Sequence, residues 1–346
     1  MNRINILLST LLVAIIIGGF TSCNVSENPI FYTLEQERPI VDDSLDNEIT
    51  VHNVVKGGIW YFAAAPKIFY RNTPDGSTWE TANMPQSGVM CEAMDIFGGN
   101  LYAGFFSIDG QTFRLYSAPP GSILIWSPVG YGPGSAINDE QIVMLKDVDG
   151  TNLLIGTKNG DTYSLHGTGA TYLTSLDGII TDALYDSDNT LFWVVAGSEI
   201  YQAATLAGLG TPLATAPSLS SGVSFGGIHY SAALVHDYYL STTDSKIWYS
   251  NDAGGTWTSS ASVSDVSFTR FIEAGGNLLV GTRSHGYYKL TGGDVTQMER
   301  RPDYNISDLR NGGVLNFALL DGKLFACTAG AGLWRSIDSG GEWHRE

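Results

Sequence analysis

The sequence predicts an all-β protein made of seven repeats of a four-stranded antiparallel unit, and three observations carry that prediction. Glycine accounts for 41 of the 346 residues, well above the usual share of ~7 %. Charged residues are only 15 % while apolar residues reach 43 % and aromatics 11 %. Such a chain has a core to bury and is not disordered. Glycine interrupts every segment, which excludes long helices and coiled coils, and no Gly-X-Y period suggests collagen. The third observation is an internal repeat. Related apolar strands begin at Ile59, Leu101, Leu153, Leu191, Tyr239, Leu278 and Leu324, an average spacing of about 44 residues, and Asn152–Gly160 closely matches Asn277–Gly286. A period near 44 with four short strands per unit marks the blade of a β-propeller. One blade cannot bury both faces of its sheet, whereas radial stacking covers each face with a neighbour.

The elements follow that period. Each of these strands is the second of its unit and leads to a third strand with aromatics: Ile68–Tyr70, Phe113–Tyr116, Thr162–Leu165, Ile200–Tyr201, Ile247–Tyr249, Tyr287–Tyr288 and Leu333–Trp334. Each is entered from a first strand through a tight turn, among them Gly98-Gly99-Asn100, Gly275-Gly276-Asn277 and Asp321-Gly322. Gly, Asn and Asp suit hairpin turns that need positive φ. The expected blades are 50–85, 86–131, 136–175, 178–216, 224–262, 266–300 and 311–346. Unit 1 starts at its innermost strand, so the ring closes either by blade packing alone or with Phe31–Leu34 completing an outer edge. Cys91 and Cys327 sit in apolar strands and read as buried thiols.

Ahead of the repeats lie two segments of different character. Arg3 forms a basic n-region and Ile6–Phe20 is nearly all apolar, too short to span a membrane but suited to an export signal. Small residues then precede a cysteine in Phe20-Thr21-Ser22-Cys23. This resembles the lipobox of bacterial lipoproteins. The resemblance implies a signal peptide at 1–22, lipidation of Cys23, and, with Asn24 following the cysteine, export to an outer membrane. Several acyl chains make such an anchor stable. Residues 23–49 hold seven acids and one base, Arg38, and read as an acidic, solvated tether.

Two segments, Ser250-Asn-Asp252-Ala-Gly254-Gly-Thr256-Trp257 and Ser336-Ile-Asp338-Ser-Gly340-Gly-Glu342-Trp343, fit Ser-x-Asp-x-Gly-x-x-Trp in phase with the repeat. Residues 72–79 and 117–126 hold decayed copies. These segments resemble the Asp-box (BNR) repeats of sialidases, sortilins and photosystem assembly factors, where the box lies between the third and fourth strands, away from the active site. Ser250, Asp252, Gly254, Thr256, Trp257, Ser336, Asp338, Gly340 and Trp343 are therefore expected to be structural. The carboxylate accepts turn N–H groups, the glycine takes a conformation closed to other residues, and the tryptophan closes the hairpin.

A sialidase resemblance would imply three arginines from different blades gripping a carboxylate, yet no arginine occurs between Arg114 and Arg270. No nucleophile elbow, zinc-spaced histidine pair or phosphate loop occurs, so no catalytic residue, metal site or cofactor is predicted. The formal charge of −17 argues against nucleic acid and against electrostatic docking to anionic lipid. Base and aromatic character concentrate in units 6 and 7, where Arg283, His285, Arg300, Arg301, Tyr304, Arg310 and Asn311 form the candidate contact surface. The expected function is that of a monomeric, lipid-anchored, non-enzymatic envelope protein binding a protein or glycan ligand. The alternative is a carbohydrate-active hydrolase with a degenerate site.

Overall fold

The computed structural model describes residues 45, 49–73, 78–110, 112–131, 140–166, 169–303 and 306–346. The signal-peptide, Cys23 and Phe31–Leu34 predictions lie outside these residues, as does Tyr304.

The strands fall into seven sheets. Blade 1 is β1 (Asn53–Gly57), β2 (Trp60–Ala64), β3 (Ile68–Arg71) and β4 (Glu80–Thr81); blade 2 is β5 (Val89–Phe97), β6 (Asn100–Ser107), β7 (Phe113–Ala118) and β8 (Ser127–Pro128). After the connecting strand β9 (Gly130–Tyr131), blade 3 is β10 (Ile142–Asp147), β11 (Leu153–Thr157), β12 (Asp161–His166) and β13 (Gly169–Ser175); blade 4 is β14 (Ile180–Asp186), β15 (Leu191–Ala196) and β16 (Glu199–Ala203). Blade 5 is β17 (Phe225–Tyr230), β18 (Tyr238–Thr242), β19 (Ile247–Ser250) and β20 (Thr258–Ser259); blade 6 is β21 (Phe268–Ala274), β22 (Asn277–Thr282), β23 (Tyr287–Thr291) and β24 (Met298–Arg301). A one-turn helix, α1 (Ser307–Asn311), precedes blade 7, which is β25 (Gly313–Leu320), β26 (Lys323–Ala329), β27 (Leu333–Ser336) and β28 (Trp343–Arg345).

The first strands stand side by side around the axis, and β25 returns to β1, giving a seven-bladed β-propeller. Five blades are four-stranded antiparallel sheets. Two depart from the repeat. In blade 3, β9 adds to the outer edge, parallel to β13. In blade 4 the fourth strand shrinks to a single bridge, Tyr201 with Pro212, beside a short 3-10 turn at Leu206–Gly208.

Burial explains the composition. Second strands such as Leu153–Thr157 are buried along their whole length, so they read as apolar runs rather than alternating ones. Seven separate hydrophobic clusters occupy the seven seams between neighbouring blades. Glycine lets the blades approach: a Cβ at Gly156 would lie 2.9 Å from Ile180 of the next blade, and one at Gly281 would lie 2.3 Å from the Val314 carbonyl. The turn at Gly275-Gly276 takes φ of +57° and +70°, as a tight two-residue hairpin requires. Cys91 and Cys327 are buried free thiols, in blades 2 and 7, and burial raises the pKa of both.

Ring closure uses residues from the end of the 23–49 segment. Leu45 is fully buried in the seam between blades 7 and 1, with Val51, Phe325 and Leu333, and Ile49 packs against the same cluster. The Val51 N–H donates to the Thr328 carbonyl (2.9 Å), and the Gly332 N–H donates to the Ile49 carbonyl (3.1 Å). At the outer side of the same seam the Glu346 carboxylate sits between Arg71 of blade 1 and Arg335 of blade 7.

Candidate functional site

The first strands surround an axial channel, and a polar waist divides it. Arg270, on β21 of blade 6, reaches past blade 5 and donates from Nε (3.0 Å) and Nη2 (2.7 Å) to the Thr181 carbonyl of blade 4. Blade 5 yields space with glycine, since a Cβ at Gly227 would lie 3.0 Å from the Arg270 Cα. Across the channel, Asn316 of blade 7 donates to Asn53 Oδ1 (3.0 Å), and Asn53 donates to the Met94 carbonyl of blade 2 (2.8 Å). Asn53, Leu145, Arg270 and Asn316 border the space on both sides of this waist.

Above the waist is a chamber of about 480 Å³. It opens on the face that carries the loops between second and third strands, called the upper face. Its wall mixes apolar groups (Met94, Met144, Phe268, Leu315) with His52, Glu92, Thr181, Thr269, Arg270 and Arg283. Arg283 is exposed at the rim, just beyond β22. Burial, and next the Arg270 charge, lower the His52 pKa and favour its neutral form. Glu92 accepts a hydrogen bond from Gln141, and burial raises its carboxyl. With one carboxylate and two guanidinium groups among the described lining residues, this chamber is less acidic than the chain around it.

The sequence-derived contact residues divide by what they touch. Arg283 borders the chamber, and His285 follows on the same loop, with its ring nitrogen 2.8 Å from Ser284 Oγ. Arg300 braces the loop from within, donating to the His285 carbonyl (3.1 Å), the Arg310 carbonyl (2.8 Å) and Asn311 Oδ1 (3.3 Å). Arg310 is buried and donates to the Pro302 carbonyl (2.5 Å). Arg301 pairs with Glu299 (2.9 Å) and Asp303 (2.7 Å), and Asn311 is exposed at the end of α1. Much of the basic cluster thus holds the connection between blades 6 and 7 in shape.

Arg270 was not singled out by sequence reasoning. Its signal was a single arginine in a first strand, Phe268-Thr-Arg270-Phe, at the position that Asn53, Asp182 and Asn316 occupy in other blades by register with the second strand.

The two Ser-x-Asp-x-Gly-x-x-Trp segments lie on the opposite, lower face, in the β19–β20 and β27–β28 turns. Asp252 accepts from the Thr256 N–H (2.8 Å), Thr256 Oγ1 (2.8 Å) and Ser250 Oγ (2.8 Å). Asp338 accepts from the Glu342 N–H (2.7 Å) and Ser336 Oγ (2.6 Å). Both turns grip the preceding blade. A Cβ at Gly254 (φ +81°) would lie 2.6 Å from the Trp193 ring of blade 4, against which Trp257 packs edge-on. The Gly340 carbonyl (φ +97° at Gly340) accepts from Tyr287 Oη of blade 6 (2.8 Å), and Trp343 Nε1 reaches the same hydroxyl (3.1 Å).

No protein-family model matches the chain, and no curated protein matches it. Solved structures do. The extracellular domain of BT4673 from B. thetaiotaomicron aligns with a TM-score of 0.66 at 15 % identity, over 86 % of this chain and 40 % of that one. YCF48 bound to D1 peptide aligns at 0.61 and 12 %, over 86 % and 97 %. An ancestral GH74 enzyme aligns at 0.63 and 14 %, over 87 % and 49 %. The chain thus spans less than half of the BT4673 domain and of the GH74 enzyme. At these identities the likeness is one of fold, and it supports the seven-bladed propeller.

Proposed function

We propose that the protein is an exported, lipid-anchored binding propeller that takes a protein or glycan ligand at the upper chamber, without catalysing a reaction. The observation that carries this reading is the chamber's composition. Arg270 and Arg283 line it among apolar groups, with Glu92 as the one acid of the described lining, so carboxylate-bearing or acceptor-rich groups find donors there. Hydrolysis of a glycoside by the common route needs two carboxyl groups flanking the bond, and Glu92 is the one acid among the described lining residues. A sialidase-like grip needs arginines from several blades, whereas both chamber arginines belong to blade 6. Neighbours of the same fold support a binding role: YCF48 was solved with a peptide bound, and the BT4673 domain is extracellular. The lipobox-like Cys23 supports attachment at the cell envelope.

The test is affinity capture from native membranes with the wild-type protein and the Arg283→Glu variant, read by mass spectrometry. A partner held by the wild type and lost by Arg283→Glu is expected, with Cys23→Ser moving the protein out of the membrane fraction. A partner retained equally by Arg283→Glu would sink the upper-chamber assignment. Turnover of fluorogenic glycosides that disappears in Glu92→Gln would favour the hydrolase alternative.

A further inference from the structure

Below the waist the channel continues into a second chamber of about 510 Å³, within the roughly 300–1,000 Å³ of small-molecule sites. It opens on the lower face, at the ends of the first strands, and Arg270 and Asn316 border its inner end. Three features define its chemistry. The first is charge of both signs. Lys56, Lys146 and Arg270 line the chamber with the carboxylates of Asp95 and Asp182; Lys146 Nζ lies 2.7 Å from Asp182 Oδ1, and Lys56 at the rim lies 2.7 Å from Asp321 Oδ1.

The second feature is the form of those pairs. Each sets an N–H donor beside a carboxylate oxygen, at the spacing of neighbouring hydroxyls on a sugar ring. Backbone N–H groups fix the carboxylates in place: Asp182 Oδ2 accepts from Ile228 (3.2 Å), and Asp95 accepts from Asp147 (2.7 Å) and Ile96 (2.8 Å). The third feature is aromatic wall. Tyr185, Tyr230 and Phe271 line the chamber, and the apolar faces of pyranose rings pack on such surfaces. His229 shares that wall, and its Nε2 makes no hydrogen bond.

We propose that the lower chamber is a saccharide-binding subsite, which takes an uncharged sugar unit through the Lys146–Asp182 pair and the Tyr185 and Tyr230 rings. An anion would be opposed by the Asp95 and Asp182 carboxylates and a cation by Lys56, Lys146 and Arg270, whereas a neutral polyol satisfies both members of the Lys146–Asp182 pair. This site is separate from the upper chamber, so its fate does not decide the reading given above.

The experiment is calorimetric titration of the intact folded protein with glucose, galactose, mannose, xylose, N-acetylglucosamine, cellobiose and lactose. Binding of at least one of these is expected, weakened about tenfold by Tyr230→Ala, which removes one stacking face, and abolished by Lys146→Met. Arg283→Glu is expected to leave it unchanged. Circular dichroism establishes that each variant is folded, and Tyr230→Ala, at the rim, keeps the test open should Lys146→Met fail to fold. Absence of binding by every sugar in the set overturns the proposal, as does binding that responds to Arg283→Glu and not to Tyr230→Ala.

Discussion

Two half-buried groups in the lower channel have pKa values shifted in opposite directions. Burial pushes the Asp95 carboxyl up to about 6 and lowers the His229 imidazole to about 4. A histidine kept neutral by the fold contributes stability that is complete above its unfolded pKa of ~6.5 and lost as pH falls toward 4. An aspartate with a raised pKa works the other way. The fold holds its proton more tightly than the unfolded chain does between about 4 and 6, so acidification through that window adds stability. In the wild type the two trends oppose one another. His229→Gln removes one of them, so from pH 6.5 to 4.5 this variant should gain stability relative to wild type by at most about 3 kcal/mol. Urea unfolding at the two pH values reads the difference, and parallel pH profiles would refute it. At this scale the sequence was least legible. Nothing in the string Phe225-Gly-Gly-Ile-His-Tyr230 says that its histidine faces the channel, because facing depends on bulges in the first strands, such as the one between Phe225 and Gly227. The same holds for Arg270, whose strand is bulged between Phe268 and Phe271.

Elements were far more legible, because turn chemistry and burial are local. The repeated Leu-Leu-x-Gly-Thr strands and the Gly-Gly-Asn turns state their own geometry. Blade 4 and β9 were not legible. The bridge that replaces a fourth strand in blade 4 has no positive sequence signal, and the parallel pairing of Gly130–Tyr131 with β13 joins residues far apart in the sequence. The Ser336–Trp343 turn ties its own hairpin to the blade before it, and the two roles separate by substitution. Asp338→Ala removes acceptors of the Glu342 N–H and Ser336 hydroxyl bonds inside the turn. Tyr287→Phe removes only the bond to the Gly340 carbonyl and the Trp343 indole across the seam. Each should cost about 1–3 kcal/mol. If the turn acts as one device, the double variant should cost less than the sum, by at least ~0.5 kcal/mol. Strict additivity in urea unfolding would show that hairpin and seam are independent.

A closed ring must join its first blade to its last, and here two devices act on one seam. Toward the upper face, residues 49–51 run against blade 7 and Leu45 fills the gap beneath them. At the outer side, Glu346 lies between Arg71 and Arg335, and Arg71 also stacks on Trp79 with its guanidinium carbon 4.3 Å from the ring centroid. The side chains of Glu346 and Arg71 are 2 % and 3 % exposed, so the pair is shielded from solvent and from screening salt. Well-packed apolar groups could fill such a site at similar stability, but removing one partner leaves a buried charge uncompensated, at about 3–5 kcal/mol. Glu346→Gln should therefore destabilise the whole ring by roughly that amount, undiminished in 0.5 M salt. Leu45→Ala should add a separate cost of about 2–5 kcal/mol for its cavity. Because every blade is held by both neighbours, opening this seam exposes two blade faces at once, and the loss should appear in a single cooperative transition. Urea unfolding followed by tryptophan fluorescence and by far-ultraviolet dichroism distinguishes the outcomes. Coincident curves shifted to lower urea are expected for both variants. A Glu346→Gln curve that overlays the wild type would mean that the Leu45 seam closes the propeller unaided, and separated curves would mean that blades 7 and 1 fray while the other five stand.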